Sequence, residues 1–392
     1  MEISKQGMVG TMKITIAMDS FKGSLSSLEA GCAVQEGIRR IEPDAEVSVL
    51  PLADGGEGTA EALVYSLGGS WQQAEVRDPL GRLRFGRYGI IEQKRLAVLE
   101  MAEAAGLPLL KQEERNPLYT TTFGVGQMIR DAVQRGCRSF LLGIGGSATN
   151  DGGAGMLQAL GYDLLDETGN PICPGAEGLS HLRRISKEHV MPELSQCSFR
   201  VACDVKNPLC GEQGCSAVFG PQKGADSDMI LKMDRWLEHF AELTLQVCPG
   251  ADKETPGAGA AGGLGFALLS YLNASLESGI QIVAEETHLE ENIRFSDLVI
   301  TGEGKLDGQT LLGKAPVGVA KLAKKYGKPV LAFAGAVDTD AALCNAEGID
   351  AFFPIVRGPI SLEEALKPGQ AKKNMSDTVE QVFRLLRFFQ KN

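Results

Sequence analysis

The sequence predicts an α/β protein in which an α+β domain is inserted into a discontinuous, doubly wound, Rossmann-like domain. Its 392 residues exceed the roughly 250–300 at which a single core usually stops growing, so two domains are expected. Both outer thirds alternate strand and helix patterns, which predicts parallel strands joined by crossovers. The middle third has a different texture. We expect one domain at residues 1–70 plus 285–392 and the second at 71–284.

The first third repeats a strand–loop–helix unit. KITIA (13–17) is a β-rich run that leads into MDSFKG. A helix is predicted to start at Ser26, because Glu29 completes a capping box three residues later. EVSVL (46–50) is the next predicted strand. LADGGEG and a helix follow, and the pair Gly68–Gly69 is a signal for the end of that helix.

The middle third begins with an antiparallel pattern. AEVRDPLGRLRFGRYGII alternates apolar and polar residues around the turn Asp78–Gly81, and the pattern runs on to Met101, which predicts a meander. After it, strands and helices alternate again. The predicted elements are a helix near 123–134, the strand SFLLGI (139–144), a glycine-rich loop with a helix to Leu160, the strand FRVAC (199–203) and a helix near 229–247.

The last third returns to regular alternation. DLVIT (297–301) predicts a strand, and GEGKLDGQTLLGK predicts the loop after it. Pro316 marks the start of the next helix. The remaining predicted elements are the strand PVLAFAG, a short helix at Asp340–Glu347, the strand IDAFFPI and a C-terminal helix over about Met375–Phe389.

Composition excludes several classes of function. A net charge of −11 argues against a nucleic-acid or anionic-membrane surface, although a small anion needs only local cations or N–H groups. Nine cysteines without a CxxC pair, and four histidines without HExxH, argue against a zinc site and favour reduced thiols in the cytoplasm. No apolar stretch reaches membrane-spanning length. The first dozen residues lack a signal-peptide core, so we expect a leader with Met12 as the more natural start.

Three loops that combine glycine with an acid follow predicted strands: MDSFKGS, ADGGEGT and TGEGKLDGQT. In open α/β sheets, ligands bind beyond the carboxyl ends of strands. Asp19, Asp54 and Glu303 would lie at such ends, and a cluster of carboxylates suggests Mg²⁺. The alternative is that each acid merely caps the following helix.

The stretch LLGIGGSATNDGGAG (141–155) contains six glycines between a strand and a helix. Backbone N–H groups at such a turn can cradle an anion, although tight packing against a neighbour is the alternative. The residues predicted to bind a nucleotide, in this stretch and the glycine–acid loops, are Gly143, Gly145, Gly146, Ser147, Asp151, Gly55, Gly56, Gly302, Gly304 and Lys305.

Two further glycine motifs are near misses. GQTLLGKA (308–315) lacks the hydroxyl residue of a P-loop. GAGAAG (257–262) has no preceding strand, which a dinucleotide fingerprint needs. Lysines beside loop glycines supply counter-charges for a polyphosphate: Lys22, Lys223, Lys305 and Lys314.

Eight of these blocks, in this order, resemble the type-I family of bacterial glycerate kinases. They are DSFKGSLS, PLADGGEGT, RNPL…TTFGVGQMIR, GIGGSATNDGGAGM, VACDVKNPL, FGPQKGA, GAGAAGGLG and TGEGKLDGQTLLGKAP. The resemblance implies ATP- and Mg²⁺-dependent phosphorylation of D-glycerate, generally to 2-phosphoglycerate, in glyoxylate or glucarate catabolism. It also implies two domains around a cleft, where we expect the active site. The sequence itself leaves open 3-phosphoglycerate as the product, and it leaves open the oligomeric state.

Residue roles follow from the needs of phosphoryl transfer, which are alignment and charge neutralisation. Asp204 is the preferred proton acceptor and Asp19 the second candidate. Lys22 and Lys223 would stabilise the transferred group. Asp54 and Glu303 are the metal candidates, while Ser20 and Arg115 would bind glycerate. The competing hypotheses are a nicotinamide-dependent hydroxy-acid dehydrogenase and a two-lobed sugar-acid-binding protein.

Overall fold

The computed structural model describes residues 11–307 and 315–391. The strands within them are β1 (Lys13–Met18), β2 (Glu46–Val49), β3 (Ser70–Arg77), β4 (Leu83–Ile91), β5 (Leu96–Glu100), β6 (Ser139–Gly143), β7 (Asp163–Leu165), β8 (Arg184–Ser186), β9 (Ser198–Ala202), β10 (Ser275–Glu277), β11 (Leu298–Leu306), β12 (Val330–Val337) and β13 (Ala351–Pro354).

The α-helices of the same residues alternate with these strands over much of the chain. They are α1 (Ser27–Arg39), α2 (Thr59–Ser66), α3 (Ala102–Ala105), α4 (Phe123–Gln134), α5 (Ala154–Ala159), α6 (Ala176–Leu179), α7 (Cys215–Phe219), α8 (Ser227–Val247), α9 (Ala260–Leu272), α10 (Gly279–Glu286), α11 (Leu289–Phe295), α12 (Ala315–Lys325), α13 (Leu362–Leu366) and α14 (Pro368–Lys391).

The chain divides into two units, of which the first is discontinuous. The first unit combines the residues up to Ala53 with those from Val283 onward, and the second comprises Asp54–Ile282. Helix α2 belongs to the second unit because it packs against β4 and β5. The first boundary between the units therefore lies between Ala53 and Asp54, before α2. The predicted boundary after residue 70 assigned this helix to the first domain.

The first unit contains a five-stranded parallel sheet in the order β13-β12-β11-β1-β2. Apolar residues of β1, α1 and α14 share one core, with Ile14, Ile16, Val34 and Val379 among them. The Thr15 hydroxyl, on the other face of β1, contacts the Ser296 hydroxyl after α11 at 2.6 Å. Helices thus cover both faces, and the predicted doubly wound α/β class is confirmed.

The second unit contains a six-stranded mixed sheet in the order β10-β9-β6-β5-β4-β3. Strands β10, β9, β6 and β5 are parallel, whereas β5, β4 and β3 form an antiparallel meander. The predicted meander is therefore confirmed. A separate core packs under this sheet, with Phe140, Leu142, Met128 and Phe266 among its buried residues.

The predicted start of α1 and the predicted end of β11 have different outcomes. The capping box is confirmed, since Ser26 and Glu29 exchange side-chain and backbone hydrogen bonds. The predicted loop after Thr301 is wrong for its first residues, because β11 continues to Leu306 and pairs there with Val337 of β12. Within the described residues, no helix is long and apolar enough to cross a membrane.

Candidate active site

In the first unit, the loop after β1 lies against β11, where the strand order of the sheet reverses. The N–H of Asp19 donates to the Gly302 carbonyl at 2.9 Å, and the Asp19 carboxylate accepts from the N–H of Ser20 at 2.6 Å. A side chain on Gly304 would lie 3.5 Å from the backbone nitrogen of Lys22. Five predicted site residues are therefore neighbours at the usual ligand-binding end of such a sheet.

Because β11 continues to Leu306, Glu303 and Lys305 lie in this strand and not in a loop. Glu303 is 7% exposed. The Lys305 ammonium lies 2.9 Å from the Asp338 carboxylate and 3.7 Å from that of Asp307. These acids, Asp338 foremost, raise the pKa of Lys305. Its charge is therefore already balanced, and a phosphate contact would have to replace an ion pair.

In the second unit, five of the six glycines in Leu141–Gly155 are required by close packing. A side-chain atom on Gly143 would lie 2.5 Å from the Gly55 oxygen, and one on Gly145 would lie 2.9 Å from the Gly56 Cα. The later three are confined by side chains: Gly152 by Leu237 at 2.9 Å, Gly153 by Ala267 at 2.5 Å and Gly155 by Thr121 at 2.1 Å. The packing alternative thus accounts for most of this glycine content.

Gly146 is the exception among these glycines. Its φ is +69°, and an added side-chain atom would meet nothing closer than the Ala102 Cβ at 3.7 Å. Its carbonyl accepts the Leu107 N–H at 2.9 Å, which anchors the turn. Among the described residues, the N–H groups of Gly145 and Gly146 donate to no backbone carbonyl. Successive unpaired N–H groups in a turn are suited to an anion.

The strand ends of the second unit converge on the loop that starts at Asp54. A side-chain atom on Gly55 would lie 2.5 Å from the Ala202 Cβ at the end of β9. One on Gly279, the first residue of α10, would lie 2.1 Å from the Asp54 carbonyl carbon. The structure therefore brings Asp54, Gly55, Gly56, Gly143, Gly145 and Asp204 together at the carboxyl end of the parallel strands.

Asp54 and Asp204 form a pair of carboxylates at this edge. Asp204 accepts hydrogen bonds from the Ser278 side chain and the Gly279 N–H. Burial, with a contribution from the charge of Asp54, raises the pKa of Asp204. Asp54 is exposed, and its Oδ1 accepts the Gly56 N–H at 3.0 Å. Asp204 is thus a carboxylate with fixed orientation and raised basicity.

Lys223 lies buried beneath the Ser147 turn, with 1% of its surface exposed. Its Nζ donates to the Ser147 hydroxyl oxygen at 2.8 Å and to the Thr149 carbonyl at 2.7 Å. Both partners are uncharged, and burial lowers the pKa of Lys223 to about 8. The sequence predicted that Lys223 stabilises the transferred group, and the structure places its ammonium in hydrogen bonds to the glycine-rich loop.

Asp151 is completely buried, so a direct nucleotide contact, as predicted from the sequence, does not fit the structure. Its carboxylate accepts the Thr122 N–H at 2.8 Å and the Thr122 hydroxyl at 2.9 Å. It also accepts the N–H groups of Gly153 at 3.1 Å and Gly155 at 3.2 Å. Burial raises the pKa of Asp151. Asp151 therefore ties the glycine-rich loop to the start of α4.

Arg115, a predicted substrate ligand, adjoins the turn that carries Lys223. A side-chain atom on Gly224 would lie 2.2 Å from the Arg115 carbonyl oxygen. Arg115 is half-buried, and within the described part of the chain its Nε is buried without a hydrogen-bond partner. The structure thus places Arg115 beside Lys223 and leaves a donor available.

Glu100, at the end of β5, was not predicted from the sequence. Its Oε1 accepts the N–H of Ala60 in the first turn of α2 at 2.8 Å, and its Cγ lies 3.7 Å from where a side chain on Gly143 would begin. Burial raises the pKa of Glu100 to about 7, with a further contribution from the charge of Glu103. No local sequence signal marks this carboxyl group, because its burial depends on α2.

Replacing Glu100 with glutamine is expected to remove a pH dependence of stability. The carboxyl group has its ordinary pKa of 4.5 when unfolded and about 7 when folded. It therefore destabilises the folded protein increasingly as pH rises from about 4.5 through 7. Glutamine stays neutral and still accepts the Ala60 N–H. Denaturant unfolding should show the variant more stable by about 1–3 kcal/mol at pH 8 but not at pH 4.5. An equal difference at both pH values would contradict this.

The GAGAAG segment follows helix α8 and not a strand, so the dinucleotide fingerprint has no structural support. Its glycines permit close backbone contacts. A side-chain atom on Gly259 would lie 2.2 Å from the Pro208 oxygen, and one on Gly262 would lie 2.0 Å from the Thr149 oxygen. The near-miss P-loop at 308–314, including Lys314, lies outside the described residues.

Comparison with known proteins shows which family this chain resembles. A family model described as "Glycerate kinase family" matches residues 14–387. The glycerate kinase of Haemophilus influenzae is 46% identical over 377 residues, which cover 96% of this chain and 99% of that protein. The glycerate 2-kinase of Escherichia coli K12 is 46% identical, covering 94% and 98%. The crystal structure of a Salmonella typhimurium LT2 protein assigned as glycerate kinase 2 matches with a TM-score of 0.88 and 45% identity, covering 98% and 100%.

Proposed function

The chain belongs to the glycerate kinase family, and we propose that it transfers the terminal phosphoryl group of ATP to the 2-hydroxyl of D-glycerate. The bond between the γ-phosphorus and the β–γ bridging oxygen breaks as the glycerate oxygen bonds to that phosphorus. ADP leaves, and the hydroxyl proton passes to a base. The name of the Escherichia coli relative, glycerate 2-kinase, supports 2-phosphoglycerate over 3-phosphoglycerate.

The turn at Gly145–Ser147 is the observation that carries the nucleotide part of the proposal. The N–H groups of Gly145 and Gly146 donate to no backbone carbonyl among the described residues, and the buried ammonium of Lys223 donates to the Ser147 hydroxyl. Free N–H groups near a positive charge attract phosphate oxygens without competition from a side chain. We therefore place the nucleotide phosphates on this turn.

An alanine at Gly146 is expected to weaken ATP binding about tenfold, because its Cβ would occupy the open side of the turn where phosphate is proposed to bind. The positive φ adds a stability cost of about 1–2 kcal/mol. Titration of the folded variant with ATP measures the affinity.

Gly136 is the matched control for that substitution. Its φ is +93°, and an added side-chain atom would meet nothing within 4 Å. Alanine there should carry the same backbone cost and leave ATP affinity unchanged. Equal ATP affinities of the two variants would contradict the proposal that phosphate binds at the Gly146 turn.

The exposed carboxylate of Asp54 fits part of a magnesium site. Its charge contributes to the raised pKa of the neighbouring Asp204, and a divalent cation bound to Asp54 would offset that charge. The described residues contain no group of three or more His, Cys, Asp or Glu suited to a metal, so phosphate oxygens would complete the site. Bound Mg²⁺ supplies neutralisation of phosphate charge.

The remaining assignments extend the proposal to glycerate and the proton. Asp204 accepts the hydroxyl proton, and Asp19 is the second candidate. Lys22 neutralises charge on the transferred group, while Ser20 and Arg115 bind the glycerate carboxylate and Glu303 is a further metal candidate. The position of the first-unit residues, where the strand order reverses, supports this assignment. A cytoplasmic location is part of the proposal, because ATP is supplied there.

Phosphorus NMR of a reaction with ATP, Mg²⁺ and D-glycerate tests the proposed function. The expected spectrum shows ADP and the phosphomonoester of 2-phosphoglycerate, and L-glycerate serves as the control substrate. A resonance of 3-phosphoglycerate would overturn the assigned hydroxyl. Failure to form any phosphomonoester or ADP would overturn the kinase reaction itself.

A further inference from the structure

Ser147 is held in an unusual hydrogen-bonding state by the lysine beneath it. A serine hydroxyl has one proton to donate and two lone pairs, whereas an ammonium can only donate. The 2.8 Å contact from Lys223 Nζ therefore uses a lone pair of Ser147 and leaves its proton available. Ser147 is largely buried, with 8% of its surface exposed.

We propose that Lys223 is a positioning residue for the nucleotide, which acts by fixing Ser147 as an outward hydrogen-bond donor to a phosphate oxygen. This inference rests on the proposed function, because it assigns the phosphate to the same turn. The ammonium also holds the Thr149 carbonyl at 2.7 Å, so both ends of Ser147–Thr149 are fixed by one group. Lys223 itself is too buried to touch the ligand.

Two titratable groups near Lys223 influence its charge. Asp151 from the loop and Cys215 from α7 are the titratable groups that influence it, and Asp234 of α8 influences Cys215. Five donors from Thr121, Thr122, Gly153 and Gly155 bind the Asp151 carboxylate. Burial raises the pKa of Cys215 to about 11, so its thiol stays neutral. Among the described residues, the hydrogen bonds of the Lys223 ammonium go to the uncharged groups of Ser147 and Thr149, while the charge of Asp151 acts on it from farther away.

Nucleotide binding to a set of variants tests the inference, measured by titration with ATP in the absence of glycerate. Lys223→Met should raise the Kd about 30-fold and Ser147→Ala about tenfold. The double variant should bind no more weakly than Lys223→Met, because both changes remove one coupled interaction. Lys232→Met, at an exposed lysine of α8, is the control and should bind as the parent does.

The pH dependence separates positioning from a merely structural role. In the parent protein, ATP affinity should fall above pH 8 as Lys223 loses its proton, and this decline should be absent in Lys223→Met. If Lys223→Met does not fold, Ser147→Ala with rescue of affinity by Ser147→Thr carries the same test. The inference would be overturned if the losses of ATP affinity were additive in the double variant, or if the folded variants bound ATP as the parent does. ATP turnover by the parent protein would still support the proposed kinase in that case.

Discussion

Asp204→Asn is expected to lower kcat by roughly 10²–10⁴-fold, the usual contribution of a general base, and to leave the KM for ATP within about twofold. The carboxylate is oriented by Ser278 and Gly279, and its pKa is raised. Asparagine keeps the shape but cannot accept the glycerate proton. Steady-state kinetics with ATP and D-glycerate varied separately measures both constants.

The pH profile gives an independent check on Asp204. The carboxylate must be ionised to accept a proton, so kcat/KM should fall as pH drops through its raised pKa. Asp228→Asn, at an exposed carboxylate in the first turn of α8, is the control and should keep parental kcat. Parental turnover in Asp204→Asn would transfer the role of base to Asp19, the second candidate.

Asp151→Ala is expected to lower the free energy of unfolding by about 4 kcal/mol or more. It leaves the Thr122 N–H, the Thr122 hydroxyl and the N–H groups of Gly153 and Gly155 without their acceptor. An unsatisfied buried donor costs about 1–3 kcal/mol. Equilibrium unfolding in denaturant measures the loss.

Asp166 is a matched control because it makes the same kinds of bonds at the surface. Its carboxylate accepts the N–H and hydroxyl of Thr168 and the N–H of Asn170. Water can replace it there, so Asp166→Ala should cost no more than about 1 kcal/mol. If the two alanine substitutions lowered the free energy of unfolding equally, the burial of Asp151 would not explain the loss caused by Asp151→Ala.

The sequence alone determined the local structure and the class of fold. The capping box at Ser26 and Glu29, the alternation around Asp78–Gly81 and the repeated strand–helix pattern each depend on residues a few positions apart. Such spacing is visible in one dimension. The rule that ligands bind at strand ends also singled out Asp54 and Gly55, which the structure brings together with Gly143.

Tertiary structure alone decided what the chemical groups of these loops can do. Asp151 and Asp204 are both acids after strands, but Asp151 is completely buried by residues such as Thr122, and Asp204 remains partly exposed. Lys223 meets Ser147 across 76 positions of sequence, and Glu100 is buried by α2. Desolvation and close packing depend on which distant segments surround a group, so neither its pKa nor the space beside a glycine can be read from its sequence neighbours.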